Sequence, residues 1–215
     1  MSDDVLLFPF GGNAREALAC MLGPGAVARP AGFVDDDPDT HERECCGVPV
    51  LGGREWLSRM PYVRVLAVPG SPATYRKRAD IIDGLGLARG RFATLVHAHA
   101  SVARDVELGV NTLVMPGAFV GPGAVVGDHC LIMAGAVVSH DTRVGAYSIV
   151  AAGAVLAGFV TVGRGCYLGA GCRLREGVQV GDGALVGMGA VVLADVPPDE
   201  TWAGIPARRL AEADA

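Results

Sequence analysis

A period of six residues constrains this chain more than any other feature of its sequence. Stepping by six from Val96 meets an aliphatic side chain every time, through Val102, Leu108 and Val114 and onward to Val192, without a miss. Two residues ahead of these positions stand small or modest side chains, from Ala100 and Val106 through Cys130, Ala136 and Ser148 to Ala190 and Val196. Such a period fits neither the roughly 3.6-residue repeat of a helix nor a heptad. It fits short extended edges joined by corners, each edge sending two residues into a triangular core. Three edges make a coil, so Val96 to Val192 predicts roughly five coils stacked by parallel ladders, each covering its neighbour. Glycine often follows the aliphatic position (Gly109, Gly121, Gly127, Gly145, Gly163, Gly169, Gly181 and Gly187), where a chain rounding a corner is expected to need conformational freedom. Pro197 and Pro198 cannot donate to a ladder and are expected to stop the coil.

Composition suits this architecture. The chain is 51% hydrophobic but only 6% aromatic, with 31 glycines, so Val, Ala and Leu fill a narrow, repetitive interior. At 215 residues it can bury a core without disulfide or metal staples. A net charge of -5 offers no general basic surface, which disfavours nucleic acid as a partner. Gly, Asp or Arg interrupts every apolar stretch, so no membrane span is expected. The start, Met1 to Phe10, carries acidic residues where a signal peptide carries basic ones, which predicts a cytoplasmic protein. Cys45 and Cys46 are adjacent and no paired CxxC follows, so the cysteines read as reduced thiols. His97, His99 and His129 lack the coil offsets of a three-histidine zinc site, so no metal is expected.

Residues 1–92 lack the period and read as alternating strands and helices. Val5 to Phe10 is a strand, Gly11-Gly12-Asn13 a turn, and Ala14 to Leu22 a helix. Gly32 to Val34 forms a second strand ending in Asp35-Asp36-Asp37-Pro38, Val63 to Val68 a third, and Ala73 to Leu85 a helix carrying Arg76, Lys77 and Arg78. Strand, glycine turn and helix open a nucleotide-binding α/β unit, in which helix amides hold phosphate. Only Gly11 and Gly12 stand where a dinucleotide fingerprint has three glycines, so NAD is disfavoured. The last residues, Ala211 to Ala215, read as a frayed end. Among five histidines, His140 occupies a corner-adjacent, non-core position of its hexad and is followed directly by Asp141.

The hexapeptide pattern resembles the left-handed parallel β-helix of the hexapeptide acyltransferase superfamily. With the α/β module ahead of it, nearly the whole chain resembles the sialic acid O-acetyltransferase and UDP-sugar N-acetyltransferase family, whose bacterial members acetylate amino sugars of glycans. The residues that carry the resemblance are the Gly11-Gly12 turn, Phe33-Val34-Asp35-Asp36, Gly47-Val48-Pro49-Val50-Leu51-Gly52, the run from Gly86-Leu87 to Val96-His97, and the closing Gly204-Ile205-Pro206-Ala207-Arg208. It implies a Rossmann-like nucleotide-sugar-binding domain over 1–92, a left-handed β-helix acyltransferase domain over 93–197 and a closing segment over 198–215. It further implies His140 as general base with Asp141 raising its basicity, His being the side chain matched to neutral pH. The sugar nucleotide would lie on Gly11, Gly12, Asn13 and Gly70 with Asp35 and Asp36 near its ribose or base, and Arg76 and Lys77 near phosphate. Acetyl-CoA, the co-substrate, would meet Ile149, Gly158, Ala170 and Met188. Homotrimers with sites between subunits are implied as well.

The chain departs from the family pattern in places. Asn13 stands where the turn carries a histidine, and Pro9 near where the motif opens with glycine. Met133 stands where asparagine is common, and Ile149 where a histidine meets acetyl-CoA; both make the groove more apolar. The expected activity is N-acetylation of a nucleotide-linked 4-amino-deoxy sugar. The alternatives are O-acetylation of a sialic acid or related sugar, and a non-catalytic subunit that binds a sugar nucleotide.

Overall fold

The computed structural model of the protein describes residues 4–24, 26 and 28–210; the expected frayed end, Ala211 to Ala215, lies outside them. The N-terminal elements are β1 (Asp4–Phe8), α1 (Gly12–Leu22), β2 (Arg29–Phe33), β3 (Glu44–Cys45), β4 (Val48–Pro49), α2 (Glu55–Arg59), β5 (Arg64–Ala67) and α3 (Arg78–Asp83). β1 lies between β2 and β5 in a three-stranded parallel sheet, and β3 pairs with β4 as a small antiparallel hairpin. Val5, Leu6 and Leu7 are fully buried, as a central parallel strand covered on both faces requires. α1 buries Ala14, Ala17, Leu18 and Met21, one helical stripe laid on the sheet.

This α/β unit is smaller than the Rossmann-like module expected. Only α1, at 11 residues, has the length of a covering helix; α2 and α3 span five and six. The helix expected over Ala73 to Leu85 is broken, because the Ser71 N–H and hydroxyl bond the Thr74 hydroxyl at 3.1 and 2.9 Å and the chain then runs through a 3-10 turn, Tyr75–Lys77, before α3. No helix of the described residues is long and apolar enough to cross a membrane.

From Leu95–Val96 onward the chain is a left-handed parallel β-helix of 17 two-residue strands, six on each of two faces and five on the third. That is nearly six coils rather than roughly five. Residues 18 apart pair in register, Leu131 with Ile149 and Ile149 with Tyr167, and Val125 with Arg143 and Arg143 with Thr161. Both inward positions are buried as the period requires, from Val114 and Ala118 to Val192 and Val196. The faces differ in what they turn outward. The covered face presents Leu95, Leu113, Leu131, Ile149 and Tyr167 beneath the N-terminal module. A second, the valine face, presents Phe119, Val137 and Val155 between Ser101 and Arg173, with Val191 beyond Arg173. The third, polar face presents Glu107, Val125, Arg143, Thr161 and Gln179.

The corner glycines serve a purpose other than the one expected. Those directly after the aliphatic position do not adopt positive φ; that conformation falls two residues later, at Asn111 (φ 54), His129 (φ 61), Tyr147 (φ 64) and Gly165 (φ 63). What the first position lacks is room. A Cβ on Gly145 would stand 2.5 Å from the Gly163 carbonyl, and one on Gly127 2.7 Å from the Ala146 nitrogen. After the polar face this position is glycine in every coil, Gly109, Gly127, Gly145, Gly163 and Gly181. The carbonyls of these glycines accept from an inward column of hydroxyls and thiols: Thr94, Thr112, Cys130, Ser148 and Cys166, at 2.9, 3.2, 3.2, 2.9 and 3.1 Å. Polar side chains thus sit inside an apolar prism with their hydrogen bonds made.

Pro197 and Pro198 end the regular coils but not the sheet. Thr201–Gly204 adds a parallel strand beside Leu185–Val186, then turns into Ala207–Arg209, whose buried Ala207 closes the core. The two halves of the molecule meet along the corner between the polar and covered faces. There Asn111 Nδ2 and Oδ1 bond the Ala67 carbonyl and amide at 2.8 and 2.7 Å, Tyr147 donates to Asp83 at 2.5 Å, and His129 lies against Tyr147 with ring centroids 4.6 Å apart.

Candidate active site

A cleft of about 270 Å³ opens where α1 begins, between the turn after β5 and the covered face. Gly11, Gly12, Asn13 and Gly70 line it together with Pro69, Met133, Ile149 and Tyr167. Asn13 Nδ2 donates to the carbonyls of Val68 and Gly70 at 3.0 and 2.9 Å, so its amide hydrogens tie the two walls together. The N–H groups of the first turn of α1 are left for a ligand, since no side chain caps them. Ile149 is 1% exposed and, with Met133 and Tyr167, gives the opposite wall an apolar surface. Asp35 stands beside this turn, accepting from the Phe10 amide at 2.8 Å. Asp36 points its chemistry elsewhere: Arg54 grips it at 2.5 Å and holds its carboxyl below the usual carboxylate range.

His140 and Asp141 lie on the corner between the valine and polar faces. Asp141 takes a left-handed φ of 57, and its Oδ2 meets His140 Nδ1 at 2.9 Å. Both side chains are 51% exposed. With the Nδ1 proton held by the carboxylate, Nε2 keeps its lone pair, the arrangement a general base needs. The ring rests over Gly158 of the next coil, where a Cβ would stand 2.6 Å from Nε2, and its edge meets Phe159 with centroids 5.1 Å apart. The Gly158 N–H has no backbone acceptor among the described residues. Ala170 and Met188 stand exposed on another corner, between the covered and valine faces, one coil apart, with the Gly189 amide bonding the Ala170 carbonyl at 2.8 Å.

One chain therefore brings Gly11, Gly12, Asn13, Gly70 and Ile149 together, and separately His140, Asp141 and Gly158, with Ala170 and Met188 on a third edge. Arg76 is engaged by the Tyr75 hydroxyl at 3.0 Å and the Asp199 carbonyl at 2.8 Å rather than lining this cleft. Sequence reasoning missed Tyr167, although its place in the 18-residue column Leu113, Leu131, Ile149 carried the signal. Burial pushes the thiols of Cys130 and Cys172 up to about 12 and that of Cys166 to about 11, so none is a nucleophile at neutral pH. His97 and His99 face each other with centroids 5.2 Å apart, while His129 bonds Asn111 on another corner. The described residues hold no cluster of three or more metal-ligating side chains.

Residues 123–158 and 159–194 each match the family model described as bacterial transferase hexapeptide (six repeats). No curated protein sequence matches. Among solved structures, PerB from Caulobacter crescentus in complex with CoA and GDP-perosamine is 30% identical, with a TM-score of 0.83 and 97% of each chain covered. A mutant of that perosamine N-acetyltransferase with one histidine changed to asparagine, also bound to CoA and GDP-perosamine, is 29% identical with a TM-score of 0.85 and 97% of each chain covered. The acetyltransferase domain of PglB from Neisseria gonorrhoeae FA1090, in complex with acetyl coenzyme A, is 27% identical with a TM-score of 0.82, over 98% of this chain and 100% of that one.

Proposed function

The chain belongs to the hexapeptide-repeat acyltransferase family, and we propose that within it the protein acetylates the amine of a nucleotide-linked amino-deoxy sugar, using acetyl-CoA and His140 as general base. The observation that carries this reading is the His140 to Asp141 pair, 2.9 Å apart, with Nε2 unengaged above the Gly158 amide. The sugar amine attacks the thioester carbonyl carbon while Nε2 takes its proton. The oxyanion forms beside the Gly158 N–H. The C–S bond then breaks, the imidazolium returns the proton to the departing CoA sulfur, and an amide remains.

The nucleotide lies in the cleft at the start of α1, where the small α/β unit works as a reduced Rossmann-like module, with Asp35 at its edge and Asp36 farther off. Acetyl-CoA runs along the corners past Gly158, Ala170 and Met188. Ile149 walls the sugar rather than binding the thioester. Because these groups lie on different edges of one prism, the complete site needs a neighbouring copy. The apolar row Phe119, Val137 and Val155 on the valine face, and Phe159, 53% exposed beside His140, support a homotrimer packed there. We place the reaction in the cytoplasm, as its use of acetyl-CoA as co-substrate favours.

The test is thiol release from acetyl-CoA with UDP-, GDP- and dTDP-linked 4-amino-deoxy sugars. His140→Ala is expected to lower turnover about 10²-fold or more. Release with hydroxyl sugars alone would move the reaction to O-acetylation. Binding of a sugar nucleotide with no release for any acceptor would leave only the non-catalytic role.

A further inference from the structure

Arg78 opens α3 and is wholly buried, 0% exposed. Its Nη1 donates to the Pro69 carbonyl, and Nε and Nη2 donate to the His129 carbonyl at 3.3 and 2.8 Å. A buried cation is ordinarily matched by a carboxylate, yet Arg78 forms no ion pair among the described residues. Burial pushes its pKa down only to about 10, so the charge persists at neutral pH. That charge lies directly behind the wall of the cleft. A Cβ on Gly70 would come within 3.7 Å of Arg78 Cδ and 3.8 Å of Nη1, and Gly70 lines the cleft together with the first residues of α1.

We infer that Arg78 is a positioning residue for the diphosphate of the nucleotide: it pins the Pro69–Gly70 wall and lends the cleft a positive charge that no carboxylate cancels. The inference rests on the reading of this cleft as the nucleotide-sugar site. In surroundings of low dielectric such a charge acts across the thickness of one peptide with little screening. It adds to the N–H groups at the start of α1, which supply direct hydrogen bonds but only a partial charge. No bond or proton moves at Arg78, so its effect belongs to nucleotide binding and not to the transfer step.

The experiment is calorimetric binding of UDP, GDP and dTDP, each beside its free nucleoside, to the full chain and to Arg78→Gln and Arg78→Lys. Gln keeps neutral donors for the two carbonyls, whereas Lys keeps the charge without the fork. Arg78→Gln should bind the preferred diphosphate about tenfold more weakly and the nucleoside about equally, raising KM for the nucleotide sugar with kcat and the acetyl-CoA KM unchanged. Arg78→Lys should recover most of that loss. Equal weakening of nucleoside and diphosphate, or a Lys variant as weak as the Gln variant, would show a merely structural residue and overturn the inference. If Arg78→Gln does not fold, a diphosphate-specific loss of about tenfold in Arg78→Lys, despite its charge, overturns it as well. A wild type that releases CoA with an amino sugar but binds no diphosphate sinks the role of Arg78 alone; one that neither binds nor releases sinks the reading of the cleft beneath it.

Discussion

His129 is held between Phe92 and Tyr147, and burial lowers its pKa from the ordinary 6.5. A group whose folded pKa is depressed contributes stability that is present above its unfolded value and lost as pH falls through the folded one. Thermal melts should therefore show stability falling as pH drops below about 6.5, and His129→Gln should flatten that slope while lowering stability at neutral pH; an unchanged slope would clear His129 of the effect. Gly158 offers a second residue-scale prediction. A Cβ there would stand 2.5 Å from His140 Cε1, so Gly158→Ala should displace the imidazole and lower kcat about 10²-fold with the melting temperature little changed. Steady-state kinetics beside a melt would separate this from unfolding. His140 and Asp141 were legible because the period leaves them on a non-core corner, a histidine followed directly by a carboxylate. Arg78 was not, since nothing in the run Arg76-Lys77-Arg78 marks which of three cations turns inward.

Among elements, the corners set the tolerance of the β-helix. At Gly145 a methyl group would strike the Gly163 backbone, whereas Gly153, at φ 66, has open space where a Cβ would go. Gly145→Ala should then cost about 3 kcal/mol or more, through overpacking between coils. Gly153→Ala should cost only the left-handed strain of roughly 1–2 kcal/mol. Urea midpoints of the two variants check this, and equal costs would refute it. The inner polar column makes a further prediction, that Ser148→Ala removes the 2.9 Å bond to Gly163 and the 3.0 Å bond accepted from the Cys166 N–H and destabilises by about 1–3 kcal/mol. The strands were readable residue by residue, since each coil repeats the same two inward positions. The β3 and β4 hairpin and α2 were not, because Glu44 to Arg59 carries neither a period nor enough apolar residues to announce an element. Glycine misled for a related reason: its presence at a corner is visible in the sequence, but whether it supplies φ or clearance depends on the coil above.

For the whole molecule, the faces of the prism are distinguished by their outward columns. The covered face is spoken for by the N-terminal module, and the polar face carries Glu107, Arg143 and Gln179, which leaves the valine face as the surface of the proposed homotrimer. Val137→Arg, set between Phe119 and Val155, should turn trimers into monomers in sedimentation and abolish turnover with the fold intact; trimers that survive it would place the interface elsewhere. The column of large apolar residues under the N-terminal module was present in the sequence at intervals of 18, but its partner could be found only once the sheet of β1, β2 and β5 was seen to end against Asn111. That same asparagine bears on how the chain finds its fold. A coil displaced by one full turn would still set valine on valine and glycine on glycine, so the repeat distinguishes its correct threading from a shifted one only weakly. Asn111 meets Ala67 through two hydrogen bonds, and the next coils at that column offer His129 and Tyr147, which cannot make the same pair. The N-terminal module thus acts as the index mark from which the turns are counted, and only a correctly counted helix brings Ile149 against Gly70 at the cleft.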